Sequence, residues 1–223
     1  MSKFAEHIYD EMMWAYPQGG GLDREDIDGL YELVHKNPSQ NMTIVDVGCW
    51  TGMSTVALAL ACKEYNGTVK AIDWFQGSKH TGLANAAKEA DIRKLLEARL
   101  RYYDIHNVEI IAKTSKDACE TMLNNSADVV FLDADHRFIE IKHDIKRWWP
   151  KVKSGGIFCG HDCEFIISPE SRDWQMLEDS ESNPWNNLDC INFHIGVVRA
   201  VSCYVQNPKK LGARLWWTQK IRQ

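Results

Sequence analysis

Ile44-Val45-Asp46-Val47-Gly48-Cys49-Trp50-Thr51-Gly52-Met53-Ser54-Thr55 is the stretch that decides the fold. An apolar run ends at an acid, two glycines follow four positions apart, and small and hydroxylated residues then open a helix. Strand, tight turn and helix in immediate succession form the first half of a βαβ unit, and glycines at such a turn let the backbone approach a ligand closely. A nicotinamide fold calls for G-x-G-x-x-G here, with the helix N-terminus facing a pyrophosphate. This turn lacks that spacing. Asp46 beside it would also repel a pyrophosphate, whereas it would tolerate a cationic sulfonium and its amino group.

Outward from this turn the texture is regular. Short β-branched runs at 43–47, 68–72, 108–112, 128–132 and 156–160 read as strands, with helices between them. The clearest helix covers 137–149, where Phe138, Ile141, Ile145 and Trp148 recur at helical spacing and Pro150 ends the pattern. Its other face reads as basic and solvated. Upstream, helices are expected at 3–14 and 23–35, split by Pro17-Gln18-Gly19-Gly20-Gly21, with Asp23 as N-cap of the second. Downstream, residues 164–193 are rich in Ser, Asn, Asp, Pro and Trp and too long for an ordinary connection, which marks a substrate-facing insertion. A helix at 197–205 and a strand at 214–218 close the chain, and the Trp216-Trp217 pair suits a sheet edge packed on one side. The predicted fold is α/β: a Rossmann-like, doubly wound, mostly parallel sheet with helices on both faces and an N-terminal helical cap over 1–40.

Bulk properties agree with one domain. The chain has 223 residues, 44% hydrophobic and 26% charged, which is the balance of a soluble globule. Lys and Arg total 26 against 31 for Asp and Glu, so a net charge of −5 offers no general attraction for nucleic acid or anionic lipid. No apolar run approaches the roughly 20 residues of a membrane span. Met1 to His7 lack the apolar core of a signal peptide, so a cytoplasmic location is expected. Seven cysteines without a framework of regular spacings suit a reducing compartment, and disulfides are not expected.

Asp73 ends the second strand, where an acid can accept hydrogen bonds from both hydroxyls of a ribose. Asp46 and Asp73 are thereby expected to bracket one nucleoside. At this point the sequence resembles class I S-adenosylmethionine-dependent methyltransferases over roughly residues 40 to 220. More narrowly it is similar to the branch holding sugar O-methyltransferases and cephalosporin-hydroxylase-like proteins. The resemblance is carried by Ala71-Ile72-Asp73-Trp74-Phe75-Gln76-Gly77-Ser78, Phe131-Leu132-Asp133-Ala134-Asp135-His136, Ser154-Gly155-Gly156-Ile157-Phe158-Cys159-Gly160-His161-Asp162 and Gly196-Val197-Val198-Arg199-Ala200-Val201. Trp50 stands where the broad superfamily has a glycine. The resemblance implies a methyltransferase domain over 41–223 that binds S-adenosyl-L-methionine through Asp46, Gly48, Cys49, Trp50, Gly52, Ser54 and Thr55. Asp73, Trp74, Ser115 and Asp133 complete that expected cofactor set.

The same resemblance implies a divalent cation, magnesium or manganese, held by Asp133, His161 and Asp162 at the carboxyl ends of two neighbouring strands. Such an ion leaves open positions for a substrate oxygen. His161 stands where relatives carry an acid or amide, and its imidazole shifts the preference toward manganese, iron or zinc. His136 falls at the family's catalytic histidine and can serve as general base, with Asp135 orienting it or touching substrate. His194 and Arg199 lie where the insertion returns to the core and are candidate substrate contacts. The alternation Cys159, His161, Cys163 lacks the second half of a zinc site. Of the tryptophans, only Trp174 and Trp185 in the insertion are placed to stack on an acceptor; Trp216 and Trp217 read as core.

The expected activity is O-methylation of a small or sugar-like acceptor, with no nucleic-acid or membrane partner and room for a homo-oligomer. A non-catalytic S-adenosylmethionine-binding protein and a nicotinamide-dependent oxidoreductase remain as alternatives; the former has no use for the acid and histidine cluster, the latter does not explain the first turn.

Overall fold

Helix α1, Arg24–Lys36, begins where predicted, with Asp26 Oδ2 accepting from the Asp23 backbone N–H at 3.2 Å. Acids in its first turn and His35 and Lys36 in its last complement the helix dipole. The computed structural model describes residues 21–78, 83–168 and 194–221. The helix expected at 3–14 and nearly all of the insertion, with Trp174 and Trp185, lie outside the described residues.

Seven strands form one sheet in the order β3-β2-β1-β4-β5-β7-β6. They are β1 Thr43–Val47, β2 Thr68–Asp73, β3 Val108–Ala112, β4 Ala127–Leu132, β5 Val152–Gly160, β6 Lys209–Leu211 and β7 Leu215–Gln219. The first five run parallel, and β7 pairs antiparallel with β5. Between them lie α2 Met53–Cys62, α3 Leu83–Glu89, α4 Ile92–Tyr102, α5 Ser115–Glu120, α6 Phe138–Trp148 and α7 Ile195–Tyr204.

Strand side chains alternate between two cores, as a pleated sheet covered on both sides requires. Ile44, Val129, Phe131, Ile157 and Trp217 face α1, α2 and α4, whereas Val45, Val130, Phe158 and Trp216 face α5, α6 and α7. This is the doubly wound arrangement expected from the sequence. Residues 22–34 of α1 and its approach contribute Leu22, Ile27, Leu30 and Val34 to the first of these cores.

Most other boundaries shift by a residue or two; two differences change how the sheet is built. β5 starts at Val152 rather than at Gly156, and its register against β4 shifts between Ala127 and Val129, so Gly155 and Gly156 mark an irregularity inside a strand. The Trp216-Trp217 pair does not lie at a sheet edge. β6, three residues long, takes the edge and β7 is interior, leaving Trp216 1% and Trp217 9% exposed, one on each face.

The ladder continues one step past the strands at their carboxyl ends. Gly48 N–H donates to Ile72 O, Asp133 N–H to Val47 O and His161 N–H to Leu132 O, at 2.8, 2.8 and 3.1 Å. These bonds bring Gly48, Asp73, Asp133, His161 and Asp162 to one edge, where ligands of open α/β sheets bind.

Candidate active site

The turn after β1 is shaped by the chain's own atoms. Gly48 has φ +90°, and a β-carbon there would meet Asp133 O at 2.0 Å; Gly52 has φ +91°, and a β-carbon would meet Leu96 Cδ1 at 2.2 Å. The glycines were expected to admit a ligand, but their first requirement is left-handed backbone and close approach of β4 and α4. Trp50, in the left-handed region at φ 44°, donates its backbone N–H to Asp73 Oδ2 at 3.0 Å. Phe75 N–H donates to Asp73 Oδ1 at 2.7 Å. The Asp73 carboxylate therefore ties two turns together, and each oxygen retains a lone pair for a further donor. Burial raises its pKa against these bonds.

Asp46 has a different place from the one expected. It is wholly buried on the α2 face of β1, where Oδ2 accepts from Ser54 Oγ at 2.9 Å and Thr55 Oγ1 at 2.6 Å. Burial pushes its pKa up to about 7, offset only in part by the two hydroxyls. Neither Asp46 nor Thr55 lines a cavity at the strand edge, because the pleat turns Asp46 toward α2 rather than toward the strand end. They brace β1 against α2. Ser54 does reach the rim of the smaller cavity, as does Cys49.

Two cavities open on the edge, of about 550 and 260 Å³. Gly48, Trp50, Asp133 and Ala134 border both. The larger is flanked by Asp73, the half-exposed Trp74 and Ser115. Ser115 Oγ donates to Asp144 Oδ1 at 2.7 Å and accepts from Trp148 Nε1 at 2.9 Å, so it is held by α6. Asp144 also borders this cavity; its pKa, raised by burial, reaches about 6. It lies on a helix face that reads as basic in the sequence, which hid it.

The smaller cavity is lined by His136, Asp162, His194 and Arg214. Asp162 is their hub. Its Oδ2 lies 3.0 Å from His136 Nε2, and its Oδ1 lies 3.0 Å from His161 Nδ1, 3.2 Å from Arg214 Nη1 and 3.4 Å from His194 Nδ1. Burial opposes its charge, yet the surrounding histidines hold its carboxyl well below the usual range. Asp133 stands 3.6 Å from His136 Nε2 and 3.9 Å from His161 Nδ1. The His136 and His194 rings meet edge to face at 4.8 Å. Glu164 accepts from both the His194 backbone N–H at 3.1 Å and its ring at 2.7 Å.

His161 is 2% exposed. Its Nε2 pairs with Asp26 Oδ2 of α1 at 3.0 Å, while its Nδ1 has no partner in hydrogen-bond geometry despite the nearby carboxylates. Burial disfavours its charge, but Asp162, Asp26 and Asp133 together raise its pKa to about 10, so a cation bound at Nδ1 would take the place of a proton there. Asp133, His161 and Asp162 each offer a ligand atom within 4.8 Å of the others, and so do His136, Asp162 and His194. A buried imidazole nitrogen aimed at two carboxylates without a hydrogen bond fits a cation, and the mixed nitrogen and oxygen donors suit a transition metal.

Other expectations resolve as follows. Asp135 is bound to Arg137, at 2.9, 3.1 and 2.7 Å, and borders the larger cavity. Arg199 is buried over the Phe138 ring at 4.1 Å and lines neither cavity, because α7 turns it into the core. Cys159 and Cys163 donate to Val130 O and Phe165 O, away from His161. Among the described residues six cysteines are free. Asp26, Glu164 and Arg214 carried no sequence signal, since nothing in a helix start, a loop or a strand entry foretells contact across the fold.

Residues 45–163 match the model of a family described as a methyltransferase domain. An uncharacterized protein, y4gI, of Sinorhizobium fredii is 24% identical over 123 residues, 54% of this chain; the chain covers 13% of that protein's length. Among solved structures, a methyltransferase from Podospora anserina bound to SAH superposes with a TM-score of 0.65 at 11% identity, over 100% of this chain and 89% of that one. A SAM-dependent O-methyltransferase from Thermotoga maritima gives 0.58 at 16% identity, over 97% and 72%. At these identities the structural likeness speaks to the fold. Among the described residues no helix is long and apolar enough to cross a membrane.

Proposed function

The chain belongs to the methyltransferase-domain family, and from that premise we propose that it moves a methyl group from S-adenosylmethionine to a hydroxyl oxygen of a small or sugar-like acceptor, assisted by a divalent cation. The observation that carries this reading is the pair of cavities meeting at Gly48 and Asp133, one bordered by Asp73, Trp74 and Ser115, the other by His136 and Asp162. A donor and an acceptor seated in adjoining hollows can meet where the hollows join, and holding them in line supplies much of a transfer rate.

In the larger cavity Asp73 has lone pairs for the ribose hydroxyls, and Trp74 offers a ring face to the base. Ser115 and Asp144 close the far end with a hydroxyl and a carboxyl able to bond a purine amino group. At the wall of the smaller cavity Asp133 and Asp162 would hold the cation together with His161, which is buried behind that wall and lines neither cavity. When bound, the cofactor supplies an electrophilic methyl on a sulfonium, and the cation supplies a Lewis acid that lowers the pKa of the acceptor hydroxyl. With cofactor and acceptor bound, His136 would take the hydroxyl proton while the methyl passes from sulfur to oxygen and a neutral thioether is left. Asp162 steadies the imidazolium that results, from 3.0 Å. Trp50, which borders both cavities, stands at their joint.

Calorimetric titration with S-adenosylmethionine, followed by a product screen over sugar, catechol and polyketide acceptors, tests the reading. Binding without any methylated product would leave the non-catalytic alternative; no binding would remove the cofactor assignment.

A further inference from the structure

Asp26 is wholly buried, although a helix-capping carboxylate works equally well at the surface and burial of a charge is costly unless it is paired. Its Oδ2 accepts from the Asp23 backbone N–H at 3.2 Å, a capping bond that requires no such depth. The same oxygen faces His161 Nε2 at 3.0 Å, across 135 residues of sequence, and Oδ1 accepts from the Arg214 backbone N–H at 3.2 Å. On the far side of that imidazole, Nδ1 lies 3.0 Å from Asp162 Oδ1 and 3.9 Å from Asp133 Oδ2, with no hydrogen-bond partner.

A histidine whose one nitrogen donates to a carboxylate presents its other nitrogen as a lone pair of fixed direction; carboxylates set the orientation and basicity of metal-binding histidines in this way. We infer that Asp26 is a positioning residue of the cation site, holding His161 with its proton on Nε2 so that Nδ1 joins Asp133 and Asp162 in binding a divalent transition metal. The inference rests on the cation reading given under the proposed function. It gives α1 a part in the site that capping and core packing do not. Asp26 also holds the backbone of Arg214, whose Nη1 lies 3.2 Å from Asp162 Oδ1, the same oxygen that His161 Nδ1 faces. A nitrogen ligand so presented favours manganese and later metals over magnesium, which takes oxygen donors and dehydrates reluctantly.

The test is Mn²⁺ binding by the full chain, read from loss of the free-ion electron paramagnetic resonance signal, in wild type, Asp26→Ala, His161→Ala and the double variant. Asp26→Ala is expected to weaken Mn²⁺ binding about 10–100-fold. Because Asp26 acts through His161, adding Asp26→Ala to His161→Ala should change affinity by less than about 2-fold. Unaltered calorimetric affinity for S-adenosylhomocysteine reports an intact fold. Asp26→Asn, whose amide oxygen can still accept from Nε2, should fall between wild type and Asp26→Ala, and it carries the test if the alanine variant does not fold. Wild-type Mn²⁺ affinity in a folded Asp26 variant, or the same loss with and without His161, would overturn the inference. Wild type that binds no Mn²⁺ would overturn the cation reading itself, and the inference with it, an outcome distinct from loss confined to the variants.

Discussion

The carbonyl oxygen of Asp133 occupies the space that a side chain on Gly48 would need, 2.0 Å from where its β-carbon would lie. The end of β4 thus closes directly on the turn after β1, at the wall shared by both cavities. Gly48→Ala should push these strand ends apart and strain a residue at φ +90°, lowering stability by about 2 kcal/mol or more. Affinity for S-adenosylmethionine and for Mn²⁺ should fall together, because Asp133 serves both sides. Urea unfolding and calorimetry check this; a variant of native stability that binds both normally would show the contact to be slack.

Asp73→Ala should weaken S-adenosylmethionine binding by about 1.5–3 kcal/mol, the scale of hydrogen bonds to a charged group. The residue also accepts from Trp50 and Phe75, so melting temperature must be followed alongside. Unchanged affinity in a folded variant would remove Asp73 from the cofactor site.

Asp46 should make stability fall with rising pH. Its folded-state pKa of about 7 lies above the ordinary carboxyl value, so the folded chain holds this proton more tightly than the unfolded chain. That contribution is complete below about pH 4 and is lost as pH rises through about 7. Asp46→Asn stays neutral throughout and its amide oxygen can still accept from Ser54 and Thr55. Between these pH values, the stability of wild type relative to Asp46→Asn should decline by on the order of 2–4 kcal/mol. Urea unfolding of the cofactor-free proteins across that range reads it, and a constant difference would mean that Asp46 is ionised when folded.

Turnover should require the cation while cofactor binding does not. Chelation followed by elemental analysis should abolish product formation and leave S-adenosylmethionine affinity largely intact. Asp162→Ala should reproduce that loss and resist rescue by added Mn²⁺. Full turnover of a verified metal-free protein would return Asp133, His161 and Asp162 to structural roles.

Much of the fold was legible because its signals are local. Alternation of β-branched runs with helical spacing gave β1 and β3 at their observed ends, and Pro150 marked the close of α6. β6 was not, since three residues at an edge leave no periodicity to read. At the site, residues ending strands were legible because a parallel sheet gathers them at one edge; Asp73, Asp133, His136, His161 and Asp162 do gather there, and the resemblance supplied the roles expected of the last four. The direction in which a side chain turns was not. Asp46 follows the alternation of β1 away from the cavities, while Arg199 enters the core and Asp26 reaches His161 across the fold through packing that no sequence spacing encodes.

The most direct test is transfer of a labelled methyl group. With trideuteromethyl S-adenosylmethionine, Mn²⁺ and a panel of hydroxylated acceptors, mass spectrometry should find a product carrying the intact label on oxygen, with S-adenosylhomocysteine formed in equal amount. His136→Ala should cut kcat by about 10²–10⁴-fold and leave cofactor affinity nearly unchanged. Label appearing on a nitrogen, carbon or sulfur atom of the acceptor, or wild-type kcat in His136→Ala on a verified hydroxyl acceptor, would contradict the account.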